Sequence, residues 1–139
     1  MTTAQGSFVV DLKPLEFEAA PSESQLGRMA INKVISGDLA ATTVGQMLSA
    51  MTGVKGSAGY VAIESVSGAL HGKQGTFVLQ HSGSMNRGAP SLHIAVVPDS
   101  GTGELQGLTG DFTINMADGK HAYTFEYQLP EPATTAAGI

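Results

Sequence analysis

Apolar and polar residues alternate along most of this chain with the two-residue period of a half-buried β-strand. From Gly6 to Phe17, Phe8, Val10 and Leu12 fall on one face. Pro14 cannot donate to a ladder, so the second half of this strand is expected at an edge or bent. Glu18 to Ser24 reads as a loop. Gly27 to Leu39 is expected as a second strand, with Met29, Ile31 and Ile35 on one face and Arg28, Asn32 and Ser36 on the other. Lys33 and Val34 disturb that alternation, and Gly37-Asp38 signals a turn or bulge. Ala40 to Met51 is ambiguous. Val44, Met47, Leu48 and Met51 have helical spacing, yet Thr42-Thr43-Val44 favours a strand, and the flanking glycines make a strand the preferred reading.

The stretch Gly59 to His81 is the richest. It holds two long strands, about Ala58 to Leu70 and Gln74 to Ser82, joined by a tight turn at His71-Gly72. Further strands are expected at Ser91 to Val97, Phe112 to Met116 and His121 to Leu129, the last with Tyr123, Phe125 and Tyr127 alternating. Gly101 to Gly110 is a glycine-rich turn with room for one helical turn. Asp118-Gly119 fits a type I′ hairpin. Pro130 to Ile139 has no core pattern and reads as a tail, leaving residues 1–129 as one domain. Seven or eight short antiparallel strands at regular spacing imply a barrel or sandwich, and closure would remove exposed edges.

A turn at His71-Gly72 sets Ala62 opposite His81, Glu64 opposite Leu79 and Val66 opposite Phe77. Glu64 and His81 then become diagonal neighbours on one face, within reach of each other. If the next hairpin centres on Arg87, His93 joins that face opposite His81; a slip of one residue would send it to the other side. Tyr60, Ala62, Val66, Phe77 and Leu79 share the face, while Val61, Ile63, Val78, Gln80, Ile94 and Val96 take the reverse. Both faces are largely apolar. That implies a filled or ligand-holding interior and an outer surface covered by a helix or another subunit.

Composition narrows the function. The chain has 139 residues, 42% hydrophobic and 14% charged, so it can bury a core and is not disordered. The 18 glycines are dispersed, as turns and bulges require. With 7 basic and 12 acidic residues the net charge is −5, and no basic cluster exists to bind nucleic acid or an anionic membrane surface. Cysteine is absent, which removes thiolate chemistry and fits a reducing compartment. The first residues lack the pattern of a signal peptide, so the expected location is the cytoplasm.

The best chemical constellation is Glu64 with His81, flanked by Tyr60 and, in the register above, His93. A carboxylate among apolar neighbours has a raised pKa unless a cation or hydrogen bond offsets it, which would suit acid–base work. The competing reading is a structural hydrogen-bonded pair. His71, His81, His93 and His121 show no metal-ligand spacing, so neither a metal nor another cofactor is expected. Gly68 to Gln74 and Gly101 to Gly107 only superficially resemble phosphate and dinucleotide loops.

Gly59-Tyr60, Ile63-Glu64, Gly68-x-Leu70-x-Gly72, Gly75-Thr-Phe77-Val-Leu-Gln-His81 and Gly101-Thr-Gly-Glu-Leu-x-Gly-Leu-x-Gly110 together resemble a family of small bacterial proteins of unknown function with the allene-oxide-cyclase-like β-barrel. The resemblance spans about Gly27 to Leu129. It implies an all-β, single antiparallel eight-stranded barrel with long loops, at most one short helix and an inner cavity, often in a small homo-oligomer. It supplies no substrate. Two functions are carried forward. One is a barrel that binds a small apolar molecule, a candidate cyclase or isomerase with Glu64 and His81 as acid–base groups and Tyr60, Phe77, Leu79, His93, Tyr123 and Phe125 lining the site. The other is a non-catalytic, oligomer-forming barrel with a filled interior.

Overall fold

The structure is a computed structural model and describes residues 1–18 and 25–131. The expected loop at 18–24 and the expected tail at 130–139 fall largely outside these residues. Eight strands form a closed antiparallel barrel in sequential order. They are β1 (Thr2–Leu15), β2 (Leu26–Gly37), β3 (Leu39–Met51), β4 (Ala58–Leu70), β5 (Lys73–Asn86), β6 (Ala89–Val96), β7 (Thr109–Ala117) and β8 (Lys120–Gln128). The ambiguous 40–51 segment is a strand: its β-branched run is paired on both sides, by β2 and by β4. A single 3-10 turn, Gly103–Leu105, is the helical element among the described residues. No helix there is long and apolar enough to cross a membrane.

Turn chemistry fixes the registers. His71 and Gly72 both have positive φ, 47° and 80°, as a two-residue type I′ hairpin demands. The pairing is Leu70↔Lys73, Glu64↔Leu79 and Ala62↔His81, as the sequence implies. Asp118 and Gly119 likewise have φ of 52° and 76°. The β5–β6 hairpin differs from expectation. Its turn residues are Arg87 and Gly88, and the register is His81↔Ile94 and Ser82↔His93. This one-residue slip turns His93 outward and brings Ile94 and Val96 inward, where they are buried. His93 instead meets Asp111 on the surface, Nε2 to Oδ1 3.3 Å.

The barrel interior has two halves. Below, Phe77, Phe112, Tyr123, Phe125 and Tyr127 pack ring on ring, with centroid separations from 5.1 to 5.7 Å. Leu105 and Leu108 of the Gly101–Gly110 segment are fully buried and plug this end. The Tyr123 hydroxyl donates to the Ser36 carbonyl at 2.8 Å and accepts from the Leu39 amide at 3.0 Å, which satisfies a buried polar tip. His71 Nδ1 and the Tyr127 hydroxyl lie 2.5 Å apart across the same end.

Above, the barrel splays. β8 accompanies β1 only from Thr2 to Phe8, and β6 meets β7 at one ladder position, Ala95↔Asp111. The upper part of β1 therefore borders one strand, which is how it tolerates Pro14, the edge placement expected of it. Pro90 in β6 is accommodated in the same way. The outer surface keeps an apolar stripe across β1–β4: Val9, Val34, Val44, Val61 and Ile63 are each more than half exposed.

Candidate functional site

The inward row of each strand follows its odd- or even-numbered residues, and four polar side chains on these rows converge midway along the barrel. Lys33 (β2) shares its parity with Met29, Ile31 and Ile35. Thr43 (β3) shares that of Leu39, Ala41 and Met47. Glu64 comes from β4 and His81 from β5. Glu64 is completely buried, and Lys33, Thr43 and His81 are each at most 6% exposed.

Glu64 is the hub. His81 Nε2–H donates to Oε1 at 2.9 Å, and Lys33 Nζ donates to the same oxygen at 3.2 Å. The Thr43 hydroxyl donates to Oε2 at 2.6 Å. Thr43 Oγ1 in turn accepts the Lys33 backbone N–H at 3.0 Å, so the β2–β3 ladder is interrupted between Ile31↔Gly45 and Val34↔Thr42 to build the cluster. Lys33 Nζ also lies 4.7 Å from the Phe8 ring centroid, a cation–π contact. Burial alone would raise the Glu64 pKa. The His81 hydrogen bond, the Lys33 charge and the Thr43 hydroxyl outweigh it and bring the carboxyl down to about 2. Glu64 is therefore ionised throughout the neutral range. The offset that a cation or hydrogen bond can provide operates here in full, which makes Glu64 a weak base.

Tyr60 sits one step above this cluster. Its ring centroid is 6.5 Å from that of His81. Gly83 faces it across the β4–β5 pair, and a Cβ there would lie 3.0 Å from Tyr60 Cδ1, so glycine makes the space the ring occupies. Burial, then the charge of Glu64, raises the phenol pKa and keeps it a neutral donor.

Above Tyr60 opens a pocket of about 420 Å³ at the barrel mouth. Its wall includes Met47, Met51, Met85, Leu92 and Tyr60, with Ser49 beside them. The exposed surface of this wall is overwhelmingly apolar.

The structure thus brings together Glu64, His81 and Tyr60 but not the remaining expected ligand contacts. Phe77, Leu79, Tyr123 and Phe125 are at most 2% exposed and belong to the packed lower half rather than to the mouth pocket. His93 is outside the barrel. Lys33 and Thr43 escaped the sequence reading, although parity places both on the inward row. The methionine wall also escaped it, because Met47, Met51 and Met85 lie on different strands and only the barrel gathers them. Among the described residues no three His, Asp or Glu side chains form a cluster suited to a metal ion.

Residues 4–127 match the family model described as "Protein of unknown function (DUF3224)". A crystal structure of a protein of unknown function from that family, from Shewanella oneidensis MR-1, is 52% identical to this chain. The match covers 96% of this chain and 99% of that one, with a TM-score of 0.89. No curated protein matches. With the family model spanning nearly the whole barrel, the chain belongs to the DUF3224 family.

Proposed function

We propose that this barrel binds a small apolar molecule in its methionine-walled mouth, above a fixed electrostatic floor. The observation behind this reading is the pocket of about 420 Å³ directly above Tyr60 and the ionised Glu64 cluster. Its volume is in the range of small-ligand sites, and an apolar wall with few polar groups is their usual composition. Methionine side chains adapt to varied ligand shapes. Binding is better supported than acid–base catalysis by Glu64, whose two oxygens are already engaged by three donors.

Titration with the neutral dye N-phenyl-1-naphthylamine tests this. Saturable binding with a Kd on the order of micromolar is expected. Met47→Trp and, on the opposite wall, Leu92→Trp should each abolish it while the far-ultraviolet spectrum stays that of the parent. Dye binding that survives both substitutions would overturn the proposal.

A second reading, that copies of the chain associate through the outer sheet, is favoured by the stripe Val9, Val34, Val44, Val61 and Ile63. Val9 pairs with Val34, and Val44 and Ile63 continue the stripe diagonally. Sedimentation velocity should show a dimer or larger species that Val44→Lys converts to monomer. A monomeric parent would count against it.

A further inference from the structure

Resting on the binding reading, we propose that the mouth pocket selects uncharged molecules with a hydrogen-bond-accepting oxygen, such as a medium-chain ketone or alcohol, and rejects carboxylates. Among the described residues no charged side chain lines the pocket: its wall is built from Met47, Met51, Met85, Leu92, Tyr60 and small or hydroxylated neighbours. The two basic side chains of the cluster below it are committed elsewhere. Lys33 Nζ and His81 Nε2 both turn to Glu64 Oε1, at 3.2 and 2.9 Å.

A fatty carboxylate entering this mouth would lose its water and meet no cation. An unpaired charge moved into an apolar site is strongly disfavoured. A ketone or alcohol oxygen loses far less on desolvation, and the Tyr60 hydroxyl can donate to it. That phenol stays protonated because burial and Glu64 both hold its proton on. Ser49, directly across the strand pair from Tyr60, offers a second neutral hydroxyl. The splay between β6 and β7 borders Pro90 and Leu92 of the same pocket and gives a chain-like molecule a lateral way in.

The test is displacement of bound N-phenyl-1-naphthylamine by 2-decanone, 1-decanol and decanoate at about pH 8, where the acid is fully ionised. The two neutral compounds should compete at least about tenfold better than decanoate. Tyr60→Phe should weaken 2-decanone by about fivefold, the loss of one neutral hydrogen bond, without changing decanoate. Ser49→Arg, which places a cation opposite Tyr60, should bring decanoate to parity or better. Decanoate competing equally in the parent protein, or gaining nothing from Ser49→Arg, overturns the selectivity while leaving the binding site standing. Failure of the dye itself to bind removes both.

Discussion

Glu64 takes up a proton only in strong acid, and the fold depends on that. Its folded pKa, about 2, lies below the unfolded value of 4.5. The stabilisation is therefore complete above pH 4.5 and is lost as the pH falls from there toward 2, by roughly 3 kcal/mol in all. Glu64→Gln should cost about 3–5 kcal/mol at neutral pH, because it strands the Lys33 charge in the interior. Urea unfolding should show this loss, together with a flatter stability profile in acid. A cost below about 1 kcal/mol, or an unchanged acid limb, would contradict the ionised cluster. The sequence made half of this cluster legible. Strand parity and one tight turn suffice to pair Glu64 with His81. Lys33 was hidden because a lysine on an inward row looks like a break in the pattern, and its counter-charge lies two strands away. Thr43 was hidden because threonine suits either face of a strand.

Between strands, spacing depends on what glycine leaves out. Gly45 of β3 pairs with Glu64 of β4, and a Cβ at Gly45 would lie 2.8 Å from Glu64 Cα and 3.0 Å from its Cβ. Gly45→Ala must push β4 away at the residue that anchors the cluster, and a loss of about 2 kcal/mol is expected. Gly53→Ala, with nothing within 4 Å among the described residues, should change stability by less than about 0.5 kcal/mol. Thermal melts of the two variants give the comparison; equal melting temperatures would refute the argument. Registers were readable where a turn announces itself. His71-Gly72 and Asp118-Gly119 did so. The β5–β6 hairpin did not, because its strands run on through exposed residues such as Met85, Asn86 and Ala89, which show no alternation. The resulting ambiguity of one residue was enough to misplace His93.

At the scale of the molecule, side-chain rows that look alike in sequence serve two purposes. The lower rows are consumed by aromatic packing, and the upper rows stay open. The alternation of Tyr60, Ala62, Glu64 and Val66 gives no sign of where one ends and the other begins. That boundary is set by how far neighbouring strands accompany one another, and β8 and β7 stop short. All consecutive strands pair with their successors, so every ladder but one joins near neighbours in sequence. The exception is β1 with β8, where Thr2 faces Tyr127. Seven hairpin-like steps can therefore form progressively from either side, whereas closing the ring requires residues from opposite ends of the chain to find each other. Such a closure carries a high entropic barrier, and folding on the order of milliseconds to seconds is expected by stopped-flow circular dichroism. Because Ala4 is fully buried on the closing strand, Ala4→Asp should slow ring closure or prevent it. The first strand made would then be the last strand to be placed.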